Sequence, residues 1–227
     1  MGGTLTRSQL EDEVRCNLGG RTDLNSRLVT FLNWAQDEIA KQHLFSALRS
    51  IETPSTVADI GSIPTPTRLR TITSFRIIDG TASRKVTYVP ARTWDTRIPY
   101  PEAYSTGIPS LYTIWGNTME LWRIPDDAYA TRIRCHLWPT PFTATGNVAT
   151  DFDRMDQILI LYATGFAFNS LGEQDKGAGA ISTAQGLLAD RIKDDRAIKE
   201  DMEITPDFEI PIASNNYWAD PFCAKMP

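Results

Sequence analysis

The chain has 227 residues, enough for one ordinary domain or a domain with an insertion, and either can bury a continuous core without disulfides. Its three cysteines, Cys16, Cys135 and Cys223, are odd in number, far apart and free of Cys-x-x-Cys spacing, which argues against zinc or redox motifs and points to a reducing compartment. Net charge is −5, and residues 200–227 account for all of it, with six acidic residues and one lysine.

Ahead of that tail, 22 basic residues balance 22 acidic ones, yet residues 68–97 hold seven Arg or Lys against two Asp. The sequence thus describes a neutral body with a basic patch and an acidic tail. No apolar run approaches the roughly 20 residues that span a bilayer, and the N-terminus lacks the apolar centre of a signal peptide, so no membrane partner is expected. Six Trp, seven Tyr and nine Phe are a generous set, and about half fall in segments that read as surface. Large rigid side chains of this kind are favoured where proteins meet.

In chain order, Thr6-Arg7-Ser8-Gln9 reads as a capping box that opens a short helix ending near Gly19-Gly20. Leu28, Phe31, Leu32, Ala35 and Ile39 then recur every three or four residues and predict an amphipathic helix from about Asp23 to His43. From Leu48 to Trp138 the pattern changes to short, β-branched, alternating runs between prolines and glycines. Ser50 to Val57, Arg68 to Ile78, Lys85 to Val89, Ser110 to Trp115 and Arg132 to Trp138 predict a region of five to seven strands, with one or two helical turns at Pro90 to Ile98.

Thr150-Asp151-Phe152-Asp153 offers a second capping box before Met155, Ile158, Leu159, Ile160, Leu161, Tyr162, Phe166 and Phe168. A helix apolar nearly all round belongs at the centre of a helical layer. Beyond Gly172 and a Gly-Ala-Gly hinge at 177–179, Ile181, Ala184, Leu188 and Ile192 predict a fourth helix ending near Lys199, with Asp194 and Asp195 on its solvated face. The order predicts an α+β fold: a four-helix bundle (residues 1–47 and 150–199) interrupted by a β-rich insertion (48–149), then an extended C-terminal arm (200–227). The arm has no periodicity, and its aromatic residues Phe208, Tyr217, Trp218 and Phe222 read as anchors that order on a partner.

A search for chemistry turns up little. The two histidines are His43, at a helix end where a partial positive charge is favourable, and His136, which alternation places on the opposite strand face from Cys135. No phosphate loop is present, and Gly177-Ala178-Gly179 lacks the strand and third glycine of a dinucleotide site. Pro206-Asp207-Phe208-Glu209 lacks the lysine of a nuclease motif, and Asp126-Asp127 reads as a turn. No catalytic residue, metal ligand or cofactor site is therefore assigned. The basic patch, Arg68, Arg70, Arg76, Arg84, Lys85, Arg92 and Arg97, is open to two readings. One is a DNA-binding accessory surface with strong salt dependence. The other is a surface that receives the acidic arm of a neighbouring subunit, a head-to-tail contact that closes into a ring.

Pro101-Glu102-Ala103-Tyr104, Gly107-Ile108-Pro109, Tyr112-Thr113-Ile114, Gly116-Asn117, Met119-Glu120-Leu121 and Ile124-Pro125 form a Gly-x-Pro turn, a Tyr-bearing strand, a Gly-Asn hairpin and a second strand closed by proline. Leu32-Asn33-Trp34-Ala35-Gln36-Asp37-Glu38-Ile39-Ala40, His136-Leu137-Trp138-Pro139-Thr140-Pro141 and the apolar helix from Tyr162 to Leu171 accompany them in a fixed order. In that order the chain, to about residue 195, resembles the head-to-tail adaptors of tailed bacteriophages, also called tail tubular or head-completion proteins. The resemblance implies a structural protein without catalytic residues, made in the host cytoplasm and placed in the virion neck. It further implies a homo-oligomeric ring of twelve subunits that joins the portal protein to the next neck or tail protein and lets double-stranded DNA pass.

Overall fold

Residues 5–201 are described in the computed structural model. The first helix, α1 (Arg7–Asn17), starts where the sequence predicts: the Gln9 side chain accepts the Thr6 backbone N–H at 2.9 Å. It stops at Gly19 and Gly20, whose φ values of 72° and 76° let the Gly20 N–H turn back to the Arg15 carbonyl. Helix α2 (Leu28–Gln42) begins later than predicted, because Asn25–Arg27 form a single 3₁₀ turn in place of its first α turn. All five of its predicted periodic residues are buried.

Seven strands follow: β1 (Arg49–Glu52), β2 (Ser62–Pro64), β3 (Leu69–Asp79), β4 (Ala82–Tyr88), β5 (Leu111–Trp115), β6 (Thr118–Trp122) and β7 (Ala130–Leu137). They form one curled sheet in the order β1-β7-β3-β4-β5-β6-β2. Every described pairing is antiparallel except β4 with β5. A parallel neighbour needs a long crossover, and the connection supplies one that carries helix α3 (Ala91–Arg97). Strand β2 escapes sequence reading because it has three residues and contains Pro64, which is tolerated only because β2 is at the edge. The β5–β6 hairpin turns at Gly116, whose φ of 59° suits a two-residue loop with glycine first.

Alternate residues of the strands, Phe75, Ile77, Val86, Tyr112, Met119, Leu121, Ile133 and Cys135 among them, face inward and make the sheet's own core. Intervening residues face outward. Burial pushes the Cys135 thiol above its ordinary pKa, whereas Cys16 is exposed on α1. In a Cys223→Ser variant, native-state alkylation followed by peptide mass spectrometry is therefore expected to modify Cys16 and spare Cys135 until the protein unfolds.

The remaining helices are α4 (Asp156–Ser170) and α5 (Gln174–Asp201). Helix α4 packs against α1, α2 and α5, and the four share one apolar core with Phe45, Phe142, Phe152 and Met155. Two expectations fail here. Thr150 is not a cap, since α4 starts only at Asp156; the Thr150 hydroxyl instead donates to Gln36 Oε1 at 3.0 Å. Gly177 and Gly179 are not a hinge but lie inside α5. An added Cβ on Gly177 would sit 2.0 Å from Asn169 Oδ1 and 3.0 Å from the Gly165 carbonyl oxygen of α4. Glycine is there because two helix backbones approach closely.

Candidate functional site

The basic residues predicted as one patch are divided by the fold. The Arg68 guanidinium donates to the Trp138 carbonyl at 2.7 Å and lies 3.4 Å from Asp151. Arg70 lies over the Trp138 ring, 5.0 Å from its centroid, and donates to the carbonyls of His43 and Lys41 at 2.8 and 3.3 Å. It thereby satisfies carbonyls at the C-terminal end of α2, where positive charge is favourable. Arg68 and Arg70 thus tie the sheet to the helices. Arg92 and Arg97 are exposed on α3, and Arg84, also exposed, pairs with the inward-facing Ile77 near the start of β4. Only Arg76 and Lys85 point outward from the sheet side by side.

Three other arginines join those two. Arg132 stands opposite Arg76, so Arg132, Arg76 and Lys85 lie abreast on β7, β3 and β4. Arg134 follows two residues along β7, beside Ile51, and Arg49 lies on the adjoining strand β1. Neighbouring strands are roughly 4.8 Å apart, and like charges directly opposite destabilise a sheet. None of the five has an ion pair among the described residues. An uncompensated row of cations in the free subunit is a local conflict of the kind that marks an interaction surface. Arg49, Arg132 and Arg134 escape a windowed charge count because they lie outside residues 68–97, although the alternation in Thr131-Arg132-Ile133-Arg134-Cys135 carries the signal.

On the far side of the strand order the charge reverses. Helix α3 packs against β5, and beside it runs a groove of about 650 Å³ bounded by Asp59, Asp95, Glu102 and Glu120, with Trp94 and Ile98 among its apolar lining. These carboxylates also have no ion pair among the described residues. Exposed aromatic side chains cluster in this half: Trp115 at the hairpin tip, Tyr88, Tyr100 and Tyr104, the last edge-on to Trp122.

The histidines and the acidic pairs have structural partners. His43 Nε2 is 2.8 Å from Asp195 Oδ2, and the Ser46 backbone N–H donates to Asp195 Oδ1 at 3.1 Å. Asp195 is therefore buried and not on a solvated face as the sequence suggests; Asp194 beside it is exposed. Serine, histidine and aspartate meet here, but the Ser46 hydroxyl donates to the carboxylate, as a structural clasp does, whereas nucleophilic catalysis requires it to donate to the imidazole. Asp126 accepts the Tyr129 hydroxyl at 2.6 Å in a turn, a bond that pushes the phenol up to about 12. Among the described residues no group of three or more His, Cys, Asp or Glu is placed to hold a metal, and no helix is long and apolar enough to cross a membrane. Phe208, Tyr217, Trp218 and Phe222, and the Pro206 to Glu209 pattern, lie outside the described residues.

Two of the segments quoted for the phage resemblance meet in space. From α2, Asn33 exchanges hydrogen bonds with the Phe142 backbone at 2.7 and 3.0 Å, and the Gln36 amide donates to the Thr140 carbonyl at 3.4 Å. The buried polar face of α2 therefore seats the loop that follows His136 to Pro141. The family model for the SU10 adaptor protein matches residues 5–206. The chain belongs to that family of tailed-phage head-to-tail adaptors. No individually curated protein matches it. The match spans both helical segments and the whole sheet of this adaptor, so the basic outer face and the acidic groove lie within the matched part.

Proposed function

We propose that this adaptor is a non-enzymatic subunit of the virion neck that forms a ring, twelve subunits in number, beneath the portal and joins capsid to tail with a passage for double-stranded DNA. The family match over residues 5–206 carries the reading. In it, residues 1–47 and 150–199 form a four-helix bundle that builds the ring, and the β-rich insertion, 48–149, presents the hairpin aromatics to the next neck component. Residues 200–227 act as an arm that anchors on the portal or a neighbouring adaptor through Phe208, Tyr217, Trp218 and Phe222. Arg76 and Lys85 of the predicted patch, with its other exposed members Arg84, Arg92 and Arg97, meet an acidic surface of a neighbour, whereas Arg68 and Arg70 hold the subunit together.

Mass determination by light scattering tests the assembly, first on the full chain alone and then after mixing with the portal of the same phage. A twelve-subunit ring, or a stoichiometric complex with the portal, is the expected result; a monomer indifferent to the portal sinks the reading. Deleting residues 200–227 is expected to leave the melting transition of the body in place and to abolish attachment to the portal. Undiminished attachment by the truncated chain removes the arm from the account.

The outward row of Arg132, Arg76 and Lys85 favours one second reading, a DNA-binding accessory protein that contacts phosphates without reading bases. That reading predicts DNA retention that falls steeply with salt and requires no portal. Electrophoretic mobility at two ionic strengths separates it from the ring.

A further inference from the structure

The two unpaired charged surfaces of the subunit lie on opposite halves of one curled sheet. Arg49, Arg76, Lys85, Arg132 and Arg134 occupy the outer face of β1, β7, β3 and β4; Asp59, Asp95, Glu102 and Glu120 border the groove beside β6 and β2. One surface carries five cations and the other four carboxylates, with no ion pair to either set among the described residues. The basic surface is the sheet face turned away from the sheet's own core, and the acidic one is a groove. Each also has an apolar component: Ile51, 51% exposed between the arginines, and the Trp94, Ile98 and Leu121 lining of the groove.

We propose that the outer face of β1, β7, β3 and β4 docks into the acidic groove of a second copy of this chain. A surface and its complement at different places on one subunit make a heterologous contact, which propagates around a ring and leaves neither surface without its complement when the ring closes. Self-docking of one subunit is excluded because the two surfaces are fixed at opposite ends of the strand order. This inference rests on the ring reading above and supplies the contact that reading leaves open. It assigns roles to Arg49, Arg132 and Arg134, and it gives the cations a folded partner in place of the acidic arm.

The test uses the full-length protein, as a mixture of isotopically light and heavy chains, under the conditions in which it assembles alone or on the portal. A carbodiimide joins amines to carboxylates that already touch. Mass spectrometry is expected to find light-to-heavy links from Lys85 to Asp95, Glu102 or Glu120. Links from Lys85 to the acids of residues 200–227 instead make the arm the occupant and overturn the proposal, as does an assembled ring without groove links. If no ring or portal complex forms at all, the ring reading fails first.

Charge reversal gives a second readout. Arg132→Glu with Arg134→Glu, or Asp95→Lys with Glu120→Lys, is expected to weaken subunit association by about tenfold or more. All four changes in one chain recover part of it, because the two exchanged charges on each side again attract across the contact. These positions are half-buried or exposed, so circular dichroism should show each variant folded. Association unchanged in either pair, or no restoration in the fourfold variant, overturns the proposal.

Discussion

Valine at Gly165 is expected to lower stability by about 3 kcal/mol, a fall in melting temperature of about 10 °C, measured by thermal and urea unfolding. Glycine to a larger residue inside a helix ordinarily gains conformational entropy, so the sign here is set by space alone. A Cβ at Gly165 would meet Ile181 Cγ1 at 2.6 Å and the Gly177 carbonyl oxygen at 3.1 Å. The carbonyl belongs to the backbone of α5 and cannot swing aside. Valine adds two further methyl groups, so α4 and α5 must separate and lose part of the apolar core they share. Gly177→Val should behave likewise. Alanine at Gly179 or Gly186, where a Cβ meets nothing within 4 Å, should instead stabilise by about 0.5 to 1 kcal/mol each. Gains at all four glycines would show that helix propensity, not the close crossing, governs this pair.

What the sequence discloses about this fold follows from which interactions are local. Leu28, Phe31, Leu32, Ala35 and Ile39 are legible because a helix repeats its buried face every three or four residues. The Thr6 cap is legible because its partner, Gln9, is three residues away. Thr150-Asp151-Phe152-Asp153 has a capping pattern, but Thr150 donates across 114 positions to Gln36 and no local pattern shows it. Gly177 looks like part of a hinge because glycine at a turn and glycine at a close helix crossing look alike in sequence until the other helix is placed, whereas Gly179 is simply tolerated in open space. The basic surface was legible in part: a window of sequence captures Arg76 and Lys85 but includes Arg68 and Arg70, which bond internally, and omits Arg132, which only strand register brings opposite Arg76.

Alanine at Asp195 should cost about 4 kcal/mol, whereas alanine at Asp194, one residue earlier, should change stability by less than about 0.5 kcal/mol. Asp194 is exposed, and its contact with Arg191 is 3.5 Å long on an exposed helix face. Asp195 is buried and accepts from the Ser46 backbone N–H, the Ser46 hydroxyl and His43. Its removal strands donors of His43 and Ser46 in a site with little access to water, and each unsatisfied group costs about 1 to 3 kcal/mol. Asp195→Asn keeps the volume and an acceptor for Ser46, so it should recover more than half of the loss; a loss as large as that of alanine would assign the effect to the charge. The carboxylate joins α5 to the chain between α2 and β1, the same join that Arg70 makes from the sheet side through the His43 carbonyl. Helix α5 ends at Asp201, six positions after Asp195, just where the proposed arm begins. Portal attachment by the Asp195→Ala protein should therefore weaken at temperatures where its sheet still melts as a unit, and attachment unchanged up to global unfolding would show that this anchor serves stability alone.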